Sequence, residues 1–223
     1  MDFIAAFEKA IISFLPIVIA ITLHEAAHGY AAMKLGDMTA YAQGRVTFNP
    51  LKHIDLFGTI LIPVVLFISQ APFLIGYAKP VPVNASRLHK PRSGMAIVAA
   101  AGPGMNLIIF ILSAICLKLL LVFGQNPDGF PSTLLVSMMF MNLFIGLFNL
   151  LPILPLDGGR IIASVLPRKW GQIFAKHEPY GMFIVFGLVL LLPWALKINP
   201  IGYMLIHTSQ MLASVLFSLL GIS

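Results

Sequence analysis

Charge is what this sequence has least of. Of 223 residues, 10% are Asp, Glu, Lys or Arg and 59% are hydrophobic, with a mean hydropathy of +0.94. A soluble domain carries about a quarter charged residues, so a water-solvated surface cannot be assembled from this composition. Cysteine is nearly absent as well. Cys116 stands alone among Ile and Leu, which excludes an internal disulfide and a thiolate metal cluster and leaves a packing residue. The net charge of +6 is modest and lies in loops, so membrane orientation explains it better than nucleic-acid binding. No small-residue cleavage pattern follows the first apolar stretch, which is therefore expected to stay in the mature protein.

What the chain has instead is length of apolar run. Stretches at about 10–33, 54–77, 95–121, 132–156, 180–196 and 201–221 approach or exceed the roughly 20 residues that cross a bilayer as a helix. The expected fold is an all-α polytopic membrane protein with five or six membrane helices.

Near the end of the first stretch the sequence reads Thr22-Leu23-His24-Glu25-Ala26-Ala27-His28-Gly29. Histidines four apart share one face of a helix and can grip one metal ion, while Glu25, one position round, can reach a water on that metal without ligating it. Zinc would bring the pKa of such a water toward ~7, and Glu25 would take its proton and later pass it to a leaving amine. Two core histidines beside a glutamate by chance is the competing account. An unpaired ionisable group at bilayer depth, however, costs on the order of 2.5–3.5 kcal/mol, and three together call for a compensating ion. Small residues around the motif let neighbouring helices approach closely, although ordinary packing uses them too.

Two histidines leave zinc short of donors. Asp55 and Asp128 sit at segment edges and Glu178 in a charged loop, whereas Asp157 ends an apolar run in Asn149-Leu-Leu-Pro-Ile-Leu-Pro-Leu-Asp157-Gly158-Gly159-Arg160. Pro152 and Pro155 break the helix there and the two glycines free the backbone. Unwound backbone at membrane depth is tolerated where it lines an enclosed cavity, a setting that suits a ligand carboxylate. A helix-ending turn with Asp157 satisfied by backbone amides is the alternative.

These motifs, with Ala101-Gly102-Pro103-x-x-Asn106, Gly44-Arg-Val-Thr-Phe-Asn49-Pro50-Leu-Lys-His53-Ile-Asp55 and Gly76-Tyr-Ala-Lys-Pro-Val-Pro-Val83-Asn84, run in order from residue 24 to 160. On them the chain resembles the site-2 protease family of intramembrane zinc metalloproteases, in its compact prokaryotic branch without a PDZ domain. The resemblance implies one Zn2+ per chain on His24, His28 and Asp157, Glu25 as general acid/base, and Asn149 on the substrate or developing oxyanion. Many members have proline where this chain has Leu154. Membrane-anchored protein substrates are implied, with regulated release of tethered regulators or clearance of remnant signal peptides as the broad roles. A single protease domain is expected over 1–223, its catalytic core at about 10–168 and its C-terminal helices at about 180–221, with no PDZ, CBS or other accessory domain.

Bringing His24, His28 and Asp157 to one depth requires their helices to run parallel, hence an odd number of crossings between them. The Pro- and Gly-rich segment 54–84 is therefore expected to be re-entrant. With the N-terminus outside, eleven of fourteen Lys and Arg then fall on the cytoplasmic side, and Lys9, Lys118 and Lys197 outside. Making 54–77 a full crossing gives nine against five. The prediction is a prokaryotic cell membrane protein with its active site toward the cytoplasm.

Alternation at Tyr41, Gln43, Arg45 and Thr47 suggests a short membrane-associated β-hairpin over 40–50, able to pair with an extended substrate and giving Asn49 a substrate role. Asn106 faces either the site or a neighbouring helix, and Asn142 reads as packing. His53, His89 and His177 are expected to be solvated. His207, with Thr208, Ser209 and Gln210, suggests an interfacial or oligomer-contacting helix, and the basic 158–179 loop is expected to lie against anionic headgroups. A metal transporter would spread exchangeable sites along a path, and an inactive binding relative would not need Glu25. Both fit less well than a peptidase.

Overall fold

In lipid a backbone must satisfy its own polar groups, and long apolar runs do so as helices. The computed structural model describes residues 3–61, 65, 68 and 78–222. Its main elements are α1 (Phe3–Lys34), α2 (Pro91–Val122), α3 (Phe130–Asn149), the short α4 (Asp157–Val165) and α5 (Arg168–Ala175), then α6 (Glu178–Leu196) and α7 (Pro200–Leu220). Five of them, α1, α2, α3, α6 and α7, are long and apolar enough to cross a bilayer. Large side chains such as Phe14, Ile108, Leu112 and Leu119 point outward from them, as lipid solvation allows. The chain is an integral membrane protein.

Helix ends follow from local chemistry. Proline opens α2, α3 and α7 in the first turn, where its missing N–H costs nothing. Gly36, at φ +105°, stops α1: its N–H bonds Met33 O and the Asp37 N–H bonds Ala32 O, satisfying two orphan carbonyls.

α1, α2 and α3 form the central bundle. Ser137 on α3 reaches Ile12 O on α1, while Asn106 on α2 reaches His24, so α1 and α3 run parallel with α2 against them. Phe110, Ala114, Leu117, Met139, Leu143 and Ala213 make an apolar core joining α2, α3 and α7. Lys118 Nζ donates to Gly221 O at 2.7 Å, which sets the end of α7 beside the end of α2. Lys197 lies just before α7, at the end of that helix away from Gly221. α6 starts at Glu178, which pairs with Arg160, three residues after Asp157.

The hairpin expected over 40–50 does not form. Thr39–Ala42 is helical, Pro50–His53 is a 3-10 turn, and no strand occurs among the described residues. The alternation there reflects individual side chains: Arg45 turns inward to Lys79 O and Pro80 O, while Tyr41 and Gln43 face out. Of the expected re-entrant segment, 54–84, the middle (62–64, 66, 67 and 69–77) lies outside the described residues. On its near side Leu56–Leu61 is a π-turn with Asp55 capping Phe57 and Gly58; on its far side 78–84 has no regular secondary structure. Beyond it the His89 N–H bonds Leu35 O at 2.8 Å, so the chain returns to the point where α1 ended.

Candidate metal centre

Four-residue spacing on α1 sends both imidazoles from one face, and they meet edge to face with centroids 4.6 Å apart. α2 accommodates them because residue 102 is glycine. A Cβ there would lie 2.5 Å from His28 Nε2 and 2.6 Å from His24 Cε1, filling the space the rings occupy. The turn after α3 closes against α4 in the same way: Cβ atoms on Gly158 and Gly159 would lie 2.2 Å from Leu150 O and 2.5 Å from Leu154 N. This close approach delivers Asp157, at the first position of α4, to the histidines.

His24 Nε2 and His28 Nε2 are 3.0 Å apart, and Asp157 Oδ2 lies 3.0 and 3.3 Å from them. Val98 O can only accept, so His28 carries its proton on Nδ1, 2.7 Å away. Asn106 donates its amide N–H groups to Ala20 O and Asn142 Oδ1, so its oxygen faces His24 Nδ1 at 2.6 Å and assigns that proton too. As neutral imidazoles both rings then present a lone pair at Nε2, and Asp157 Oδ2 is buried with no hydrogen bond. Three acceptors packed this closely repel one another unless a cation lies among them, and a buried unpaired carboxylate costs several kcal/mol. A tetrahedral zinc with bonds of about 2.0–2.1 Å separates its donors by about 3.3 Å, which these atoms match. The residues fit the ion.

Glu25, half-buried, has a carboxylate oxygen within 4.8 Å of the histidine ligand atoms. Its Oε2 accepts the Val81 N–H at 2.8 Å. That amide belongs to a strap without regular secondary structure, 78–84, pinned along its length. The Lys79 N–H bonds His53 O, buried Arg45 holds Lys79 O at 2.6 Å, and the Asn84 N–H bonds Asp37 Oδ2 at 2.6 Å. Burial tends to raise the Asp37 pKa, but hydrogen bonds from Thr39 and Asn84 and the charge of Arg87 outweigh it and hold the carboxyl below the ordinary carboxylate value.

Of the residues singled out from sequence, His24, Glu25, His28, Asp157 and Asn106 come together. Asn149 ends α3 with its amide on Ile145 O, and Asn49 caps the Pro50–His53 turn through Leu51 N. Asp55 is a turn cap, Asp128 is exposed, and Glu178 pairs with Arg160. His53 is not solvated as expected: it is 2% exposed, its ring on Thr47 O and its carbonyl on the strap. Arg45, Asp37, Val81 and Asn142 were not legible as site residues. For Arg45 and Asp37 the signal present was charge inside a short, otherwise tightly turned loop.

A His–Glu–His cluster with both imidazoles buried, on a helix of a membrane protein and closed by a distant aspartate, defines a metallohydrolase type of site. The model of peptidase family M50 matches residues 119–192. A Bacillus subtilis protein named "Putative zinc metalloprotease YwhC" is 41% identical over 181 residues, covering 79% of this chain and 78% of that one. "Zinc metalloprotease MJ0392" of Methanocaldococcus jannaschii is 26% identical over 188 residues, 84% of this chain but 44% of that longer protein. No solved structure matches the chain. The chain belongs to peptidase family M50, the site-2 protease family, and is a zinc metalloprotease.

Proposed function

We propose that the chain hydrolyses peptide bonds in or beside the membrane segments of membrane-anchored proteins, in regulated intramembrane proteolysis, with one zinc held by His24, His28 and Asp157. The observation that carries this reading is the convergence of two histidine Nε2 atoms and one carboxylate oxygen, all buried and within 3.3 Å of one another, beside a carboxylate outside the trio.

Zinc, when bound, supplies a Lewis acid that acidifies water and polarises a carbonyl oxygen. Glu25 is the proton carrier: with Oε2 on Val81 N–H, Oε1 is left to take a proton from the attacking water and return it to the departing amine. Asn106 and Val98 O each hold a histidine Nδ1–H, keeping Nε2 for the metal. The amide of Asn106 is fully used by His24, Ala20 and Asn142, so it supports a ligand and has no donor left for substrate. Asn142, held in turn by Met138 O, keeps Asn106 in that orientation. Asn149 uses one N–H on Ile145 O, and its remaining polar groups suit a substrate carbonyl.

A same-sided return of 54–84 is supported by the bond from His89 N–H to Leu35 O. With that return most of the fourteen Lys and Arg stand on the active-site side, which favours a cytoplasmic active site. Bacterial and archaeal relatives favour a prokaryotic membrane.

The test is Glu25→Gln in purified protein, with zinc content and cleavage of a membrane-anchored reporter measured together. Zinc retained and cleavage lost supports the reading. Unchanged cleavage in the variant overturns it.

A further inference from the structure

Beside the metal centre lies an open groove of about 900 Å³, walled by the first turn of α2 on one side and the α4–α5 hairpin on the other. Two of its lining residues lie close in sequence to residues of the site. Val83, two residues beyond the amide on Glu25, lines it, and so does Arg160, three residues after Asp157 on α4.

Four cations face this groove, Lys90, Arg92, Arg160 and Arg168, against one anion, Glu178. Two of the four are already engaged. Arg92 donates to the carbonyls of Ser164 and Leu166 at the end of α4, and Arg160 pairs with Glu178 at 3.1 Å. Lys90 and Arg168 have no side-chain partner among the described residues. The lining keeps a positive excess of three, which attracts an anionic partner and repels a basic one.

The walls are preformed. Gly171 packs so close that a Cβ would lie 2.3 Å from Ala163 O, which locks α5 onto α4. A groove that need not be organised on binding loses little affinity to ordering. Arg168, Gly171, Gln172 and Ala175 recur at helical spacing and form the groove face of α5, while exposed Trp170 and Ile173 occupy the opposite face. The apolar face suits lipid, so the charged face is turned from the bilayer toward the space between α2 and α4.

Resting on the peptidase reading above, we propose that this groove receives the segment of the substrate flanking its membrane helix, and that Lys90 and Arg168 select acidic residues in it. The occupant is an acidic peptide rather than an anionic headgroup, because the groove is lined one helical turn from Asp157, by Arg160, and its charged face is turned from lipid.

The experiment uses two membrane reporters with one transmembrane sequence and either an Asp/Glu-rich or a Lys-rich flank on the active-site side. Cleavage by wild type and by the Lys90→Glu/Arg168→Glu double variant is measured in neutral and in anionic vesicles. Two part-exposed ion pairs predict an acidic preference of about 3–10-fold in wild type. The double variant is expected to lose or invert it, with the Lys-rich reporter rescued. The same preference in wild type and variant overturns the proposal, as does a preference that follows vesicle charge and not reporter charge. Binding of both reporters to the Glu25→Gln variant is measured in parallel. Charge-selective binding without wild-type cleavage supports the groove and sinks the peptidase reading, whereas equal binding with normal cleavage does the reverse.

Discussion

The carboxylate of Glu25 accepts a hydrogen bond from the backbone amide of Val81 at 2.8 Å, although 56 residues separate them. Val81 lies between Pro80 and Pro82, so it holds the one N–H in that tripeptide. The bond divides the two oxygens of Glu25 into one that is fixed and one that is free.

Replacing Val81 by proline removes the donor, whereas alanine keeps it. A hydrogen bond to a charged group is worth about 1.5–3 kcal/mol, so Val81→Pro should slow reporter cleavage by roughly 10- to 100-fold. Val81→Ala should stay within a few-fold of wild type. Zinc analysis of both variants checks that the metal is kept, and equal rates for the two would refute the role of the amide.

Gly102→Ala should displace the imidazoles, since the new methyl would sit 2.5 Å from His28 Nε2. The expected outcome is a folded protein that purifies with little zinc. Metal stoichiometry alongside helical circular dichroism distinguishes this from general unfolding.

The amide relay from Asn142 through Asn106 to His24 predicts graded effects. Outer partners of metal-binding histidines typically contribute 10- to 100-fold in affinity, so Asn106→Ala should weaken zinc binding by about that factor. Asn142→Ala, one bond further away, should weaken it less. Competition with a chromophoric chelator measures both, and an unchanged affinity in Asn106→Ala would contradict the relay.

Asp37 gives a pH dependence with a definite sign. Its carboxyl is held below the ordinary value of about 3.9, so it stabilises the fold fully above that pH, and the contribution is lost as pH falls through the lower native value. Thermal unfolding in detergent should therefore separate wild type from Asp37→Asn by a constant amount between about pH 5 and 7. Below about pH 4 the two curves should converge. A gap that widens on acidification would reverse the sign and reject the account.

The histidine pair, Glu25 and Asp157 were legible because charge at bilayer depth has few explanations, and helical spacing settles which side chains share a face. The all-helical fold followed from apolar length alone. The segment between α1 and α2 was not legible, because its order comes from contacts between distant residues. Arg45 holds carbonyls 34 and 35 positions away and Asp37 an amide 47 away, and neither leaves a periodic trace. Polar residues alternating over 40–50 therefore imitated a strand. The direction of α7 was not legible for a related reason: hydropathy measures whether a helix can cross, and that direction rests on Lys118 meeting Gly221.

The wide separation of the three donors along the chain has a consequence for synthesis. His28 leaves the ribosome 129 residues before Asp157, roughly 6–26 s earlier at about 5–20 residues per second. Val98 and Asn106 emerge within that interval, so both imidazoles can be oriented while the third donor is still untranslated. With zinc on the proposed ligands, the moment at which a nascent molecule can retain its ion is thus set by completion of α4, not by insertion of the helix that carries His24 and His28.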